Sequence, residues 1–415
     1  MTSIYRMVRK VVVKAVLGDL EFGVSNEGEW FDDTGMVILR EDADVYGVEA
    51  DGQEHLLAKF RKKAISNELV QEGWDAFRKA AQPSRNRGAA AGPIDVGGKY
   101  WARRKPTGVD RWSTRYLQNG KVSKMRVNNN VASGVVGYYE KTPFLGIPCR
   151  MTSYARNNMK QFIHGMDFIH RIDALFKQMT PEAHAKQLVI AKKHPQYQIG
   201  KTAFSTITIN NNFRTALHKD AGDYREGFGN LSVIEWGKYH GGHTLMPRFK
   251  IGFDVRTGDF LAMNVHEWHT NSPIYETPED KAFNAKLPDI RTRDPEVGVA
   301  GSEKRYCRLT FVCYFREKLQ QCDASKTKEY YERIGFNEAA EIKDAKSYRI
   351  VPLPLPGITG TIEDAQKAMN STSAGSASRL LHSRKVKRGS LTKNTHTTRK
   401  QSKAGKKMRE EEGDM

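Results

Sequence analysis

The chain has little cysteine and no long apolar run. Four cysteines stand among its 415 residues, Cys149, Cys307, Cys313 and Cys322, and no two form a Cys-x-x-Cys pair. That scatter argues against a disulfide framework and against a finger-type zinc site, and it predicts thiols kept reduced. No apolar run reaches the roughly 18 residues that span a bilayer, and Val11-Val-Val13 is far too short. The N-terminus also lacks the basic, apolar and small-residue succession of a secretory signal. An intracellular chain without a membrane partner is expected.

Acidic residues are missing from 371–409, which carry basic clusters such as Arg384-Lys-Val-Lys-Arg388 and Lys403-Ala-Gly-Lys-Lys407. Ser, Thr and Gly fill the gaps, so too little apolar surface exists to order the stretch. A disordered basic tail over 371–415 is predicted, able to act as an electrostatic tether or a nuclear-localisation signal. Overall, 67 Lys and Arg outnumber 48 Asp and Glu, a net charge of +19. A polyanionic partner follows, and its affinity would fall with salt.

What is present carries chemistry. Phe204-Ser-Thr-Ile-Thr-Ile-Asn210 alternates apolar and polar residues, the period of a half-buried strand. It leads to His218-Lys-Asp220, where side chains two apart share a face. A His-x-Asp pair with a distant His is the donor set that holds Fe(II) on one side and leaves the other open for O2 and a co-substrate. The third ligand is expected after the Gly258-Asp259 turn, from His269 or His266, with His269 favoured. His240 and His243, in a glycine-rich turn, are weaker candidates. Arg308 opens an apolar strand and shares a face with Thr310. Guanidinium binds carboxylates bidentately, which suits the distal carboxylate of 2-oxoglutarate. Arg305 is the rival anchor. Asn210, Asn212 and Asp223 surround the pair and are candidate contacts to a substrate or co-substrate, or turn residues.

Elsewhere, residues 1–50 suggest short strands and turns, and 54–81 a helix on Leu56, Leu57, Phe60, Leu69, Trp74 and Phe77. Pro83 to Gly98 looks flexible. Lys99 to Tyr116 interleaves cations with rings, as single-stranded nucleic-acid contacts do. The stripe Met159, Phe162, Ile163, Met166, Ile169 and Ile172 predicts a core helix over 154–179. Pro181 can open a second helix through Lys193.

Leu217-His-Lys-Asp-Ala-Gly-Asp223, Gly241-Gly242, Pro247, Gly258-Asp259, His269 and Arg308 to Arg316 together resemble the TET/JBP family of Fe(II)- and 2-oxoglutarate-dependent nucleic-acid oxygenases. Upstream, Leu56 to Arg61, Asn86 to Gly92, Ser133 to Tyr138 and Pro148 to Thr152 are similar to the same family, so the likeness spans about 55–316. The resemblance implies an α+β fold whose core is a double-stranded β-helix, or jelly-roll, from about Phe204 to Phe315, buttressed by helices. It implies a four-part chain: an N-terminal extension over 1–125, a dioxygenase domain over 126–320, an extension over 321–370, and the tail. It further implies DNA as partner, with a methylated pyrimidine flipped out of the stack. The 5-methyl group would be oxidised to hydroxymethyl through an iron-oxo species, 5-methylcytosine slightly ahead of thymine. His218, Asp220 and His269 would hold Fe(II), and Arg308 and Thr310 would anchor 2-oxoglutarate, although ascorbate replaces it in some relatives. In a eukaryotic cell the nucleus is the expected location, otherwise the cytoplasm of a bacterial or infected cell. Alternatives are an iron oxygenase of RNA or protein side chains, or a silent DNA-binding relative. The 39 positions between His269 and Arg308 exceed the family spacing, and Glu276 to Lys304 is an expected insertion.

Overall fold

The alternating run around Ile207 and Ile209 does form a strand, paired on both sides within a large mixed sheet. The structure, a computed structural model, describes residues 8–85, 87–93, 129–142, 145–290 and 305–371. Its N-terminal strands are Arg9–Lys14 (β1), Val37–Leu39 (β2), Ala43–Val48 (β3), Glu54–Arg61 (β4) and Pro83–Ser84 (β5). Val131–Tyr139 (β6), Arg150–Met151 (β7), Thr206–Asn211 (β8), Gly229–Trp236 (β9) and His240–Gly241 (β10) follow. Thr244–Met246 (β11), Ile251–Phe253 (β12), Phe260–Met263 (β13), Thr270–Asn271 (β14), Ile274–Tyr275 (β15) and Cys307–Tyr314 (β16) complete the set.

The large sheet runs β1-β3-β4-β13-β9-β16-β8-β6-β5, with β7 added beside β6. A smaller sheet runs β14-β11-β12-β2, and β10 pairs with β15. Only β1 with β3 and β12 with β2 are parallel among these pairs of described strands. One buried cluster joins the two sheets: Met246, Ile251 and Phe253 from the small one meet Val45, Leu57, Val233 and Leu261 from the large one. The result is a mixed α/β fold in which strands from 1–61 enter both sheets.

Helices cover the other face of the large sheet. Asn67–Phe77 (α2) is capped by the Ser66 hydroxyl, and it stacks Trp74 on Trp236 of β9 with ring centroids 5.5 Å apart. Met166–Met179 (α5) sets Phe168 against Phe311 of β16 at 5.1 Å, where Phe77 also packs. The period of two then turns Thr310, Val312 and Tyr314 to the opposite face. Trp74 is fully buried, so Trp74→Ala will cost about 3–5 kcal/mol in urea unfolding. A loss under about 1 kcal/mol would show that this helix layer is not part of the cooperative core.

Three expectations are corrected. Residues 54–61 are strand β4, not the start of a helix, because they zip between β3 and β13. The stretch 154–179 is three helices, Ser153–Asn157, Met159–His164 and Met166–Met179, broken at Asn158 and Gly165. At Gly165 an added Cβ would lie 2.5 Å from the Phe77 ring, so the break lets the helices close on α2. Cys149 and Cys322 are joined as a disulfide with Cα atoms 6.0 Å apart, while Cys307 and Cys313 are free. A separation of 173 residues hides that pairing from any local spacing. Pro181–Lys193 is helical with Pro at its first turn, as its sequence predicts.

Met1–Ala368 form one compact unit and Met369–Met415 a second, of which only 369–371 are described. The basic aromatic segment, residues 291–304 of the insertion and residues 372–415 of the tail lie outside the described residues. The described part of 276–304 contains the helix Pro278–Asn284, begun by a Thr277–Asp280 capping box. No helix among the described residues is long and apolar enough to cross a membrane.

Candidate active site

After β8 the chain turns at Asn212, held at φ +48°. Its side-chain amide donates to the Tyr306 carbonyl, and its oxygen accepts from the Arg308 amide. The next residues are guided by the N-terminal segment: Leu217 N–H donates to the Glu29 carbonyl and Gly28 N–H to that of Leu217. His218 and His269 then exchange a pair of backbone hydrogen bonds, each 3.0 Å, while Asp220 N–H donates to Val265. This short antiparallel bridge brings ligands 51 positions apart onto one face.

His218 Nε2 lies 3.5 Å from Asp220 Oδ1, and His269 Nε2 lies 3.7 Å from Asp220 Oδ2. All three donor atoms fall within 4.8 Å of one another. Each ring is fixed from behind. His218 Nδ1–H donates to the Ala216 carbonyl at 2.8 Å, and His269 Nδ1–H to the Glu267 carbonyl at 2.9 Å. Those bonds set the tautomer that leaves both Nε2 lone pairs pointing inward, as metal-binding histidines require. Burial with His218 alongside lowers the His269 pKa to about 4, which favours the neutral ring that a metal would need. Burial opposes ionisation of Asp220, but contact with His218 and the charges of His218 and Arg87 help hold the carboxyl below its usual range. Two neutral-capable imidazoles and an ionised carboxylate, with one side open, suit Fe(II).

The open side faces a cavity of about 420 Å³. Thr310, Val312 and Tyr314 of β16 and Asn210 of β8 line it, with Asp223, Arg87 and Arg316 along another part of its wall. Asp223 Oδ2, Arg87 Nε and Arg316 Nε are buried without a hydrogen-bond partner among the described residues. Such groups are costly unless a guest satisfies them. Burial, together with the charge of Asp220, pushes the Asp223 carboxyl well above its ordinary range, and Arg316 only partly offsets this. Arg316 is itself held by Glu140 at 2.8 Å and by the Tyr314 hydroxyl at 2.6 Å, under the Tyr139 ring.

Arg316 and Arg87 were not among the sequence candidates. Arg316 continues the 310, 312, 314 alternation, and that signal could have found it. Arg87 lies in the Asn86 to Gly92 segment that resembles the family, although no spacing marks it as a cavity residue. Thr310, Asn210 and Asp223 reach the cavity, but Asn212 does not, because both ends of its amide serve the backbone turn. Arg308 lies beyond the lining residues, 2% exposed, with Nε and Nη2 lacking partners. Gly242 at φ +71° passes so close that a Cβ would sit 3.0 Å from Arg308 Nε. The rival Arg305 instead donates to the Ala285 and Leu287 carbonyls. His266 contacts the Tyr224 carbonyl, His240 pairs with Asp280, and His243 pairs with Asp33, so none of the three joins the donor cluster.

The donor set of His218, Asp220 and His269 has the composition of a 2-His-1-carboxylate site and lies in a mixed α/β scaffold. Residues 134–317 match the Tet_JBP family model, the oxygenase domain of the 2OGFeDO superfamily. The chain is 39% identical over 202 residues to the bifunctional helicase and thymine dioxygenase JBP2 of Leishmania infantum, covering 47% of this chain and 16% of that protein. It is 32% identical over 192 residues to thymine dioxygenase JBP1-B of Trypanosoma cruzi, covering 45% of this chain and 20% of that protein. The chain thus spans a fifth or less of the length of these relatives. A solved structure, NgTET1 in complex with 5mC DNA, aligns with a TM-score of 0.41 and 11% identity, over 78% of this chain and 89% of that one.

Proposed function

We propose that the chain is an Fe(II)- and 2-oxoglutarate-dependent dioxygenase that oxidises the 5-methyl group of a pyrimidine in DNA. The observation that carries this is the His218, Asp220 and His269 cluster at the edge of a cavity with unsatisfied polar groups. In this reading the two sheets that share a core are the double-stranded β-helix, and its cavity holds the metal. Fe(II) bound there would supply activation of O2 coupled to oxidative decarboxylation of 2-oxoglutarate. The chain's residues do the rest. The backbone carbonyls of Ala216 and Glu267 orient the imidazoles. Thr310 and the unpaired guanidinium of Arg308 lie along one strand face and receive the distal carboxylate.

Asp223, Arg87 and Arg316 receive the base, which must leave the helical stack to arrive. Thymine's edge offers two carbonyl acceptors around an N3–H donor. Two guanidinium donors and one carboxyl oxygen complement it, whereas the 4-amino group of 5-methylcytosine would set a donor against a donor. The names of the curated relatives also favour thymine, against the slight preference for 5-methylcytosine drawn from sequence.

Incubation with Fe(II), 2-oxoglutarate and O2 on DNAs containing thymine alone or added 5-methylcytosine, followed by nucleoside mass spectrometry, tests the reading. 5-Hydroxymethyluracil is expected. Only 5-hydroxymethylcytosine would move the substrate to 5-methylcytosine, and neither product would overturn DNA oxidation. In the same assay Asp223→Leu will lower kcat/KM on thymine DNA by about 10–100-fold, since one buried hydrogen bond to the base is lost. Its melting temperature will hold or rise, because Asp223 Oδ2 has no partner to lose. Unchanged kcat/KM would remove Asp223 from the base contacts.

A further inference from the structure

His269 stands at the end of a buried chain of ion pairs that starts far outside the matched oxygenase segment. Arg248, 2% exposed along its side chain, donates from Nε to Glu267 Oε1 at 2.8 Å and from Nη2 to Oε2 at 2.6 Å. The same guanidinium grips Glu49, Nη1 to Oε2 at 2.7 Å and Nη2 to Oε1 at 2.6 Å, and Nη1 also reaches the Leu17 carbonyl. Glu267 Oε1 accepts from the Trp268 amide at 2.9 Å, and the Glu267 carbonyl accepts from His269 Nδ1. The Trp268 indole N–H, in turn, donates to the carbonyl of Asp19, whose carboxylate pairs with Lys219 at 2.5 Å, between the two other ligands.

Glu49, His55 and Glu267 bring three ligand-type atoms together, but the guanidinium bonded to both carboxylates already satisfies them, so they do not make a second metal site. A buried ion triad is also a poor source of stability, because desolvation offsets the attraction; well-packed apolar residues often do as well. What this triad does supply is geometry: it fixes the 266–268 turn from which the third ligand projects.

We propose that the Glu49–Arg248–Glu267 triad positions His269 for metal binding, so that the N-terminal segment is part of the metal centre. This rests on the metal-site reading above, and the test separates the two. Co(II) is titrated into the full chain, following its d–d absorption bands and dissociation constant, beside thermal unfolding of the metal-free protein. The apolar triple variant Glu49→Leu/Arg248→Met/Glu267→Leu will keep its melting temperature. Its Co(II) affinity will fall roughly tenfold or more with altered bands, the scale of lost outer-shell support. Should the triple variant not fold, Glu49→Gln decides, with an expected threefold or greater weakening, as its side chain is 26% exposed. Affinity and bands within twofold of the parent in a folded variant would overturn the proposal. A parent chain that binds no Co(II) would instead overturn the metal site itself.

Discussion

His218→Ala will abolish hydroxymethylation, by about a thousandfold or more, and will remove Fe(II)-dependent stabilisation of the fold. The ligand supplies one of three donors within 4.8 Å, and loss of several kcal/mol of metal-dependent barrier lowering is a factor of about a thousand. A ligand at a hundred times its dissociation constant stabilises a protein by about 2.7 kcal/mol, so the metal-induced rise in melting temperature expected of the parent should vanish in the variant. His266→Ala is the matched control, since its ring bonds the Tyr224 carbonyl and stands outside the donor cluster. Equal losses in the two variants would move the third ligand from His269 to His266. Full activity in His218→Ala would eliminate the triad.

The second large effect falls on the co-substrate. Arg308→Met keeps the length and apolar stem of the side chain while removing a buried guanidinium with two unpartnered nitrogens. A charge-assisted, bidentate contact is worth about 2–3 kcal/mol, so KM for 2-oxoglutarate should rise about 30–150-fold at unchanged Co(II) affinity. Glu235, opposite Arg308 on β9, stays paired through Arg256 and Thr257, so no new buried charge is exposed by the change. Arg308→Lys should recover only part of the loss, because an ammonium lacks the planar fork. An unchanged KM would pass the anchor to Arg316 or Arg87, the two arginines that line the cavity itself.

The residues legible in sequence were those whose signal is local. The period of two around Ile207 and Ile209 and the i, i+2 pair His218 and Asp220 announce both a strand and the side its side chains take. His269 was reachable through the family resemblance, in which the third ligand follows a Gly-Asp turn such as Gly258-Asp259 by about this distance. What stayed hidden depends on pairing across long separations. Leu56, Leu57 and Phe60 fit a helix as well as a strand, and only the flanking β3 and β13 decide between them. Arg87 reaches the cavity, and Glu49 reaches Arg248 over 199 positions, through topology that no window of local periodicity contains. The Cys149–Cys322 pair was missed for the same reason.

The central claim is that one cavity couples consumption of 2-oxoglutarate to oxidation of a base. The most direct measurement quantifies succinate and hydroxymethylated nucleoside from the same reaction, with thymine DNA, Fe(II) and 2-oxoglutarate, in the parent and in His218→Ala. Equimolar succinate and hydroxymethyl product in the parent, and neither in the variant, is the expected result. Hydroxymethyl product formed without 2-oxoglutarate, or succinate formed alike by both proteins, would contradict it.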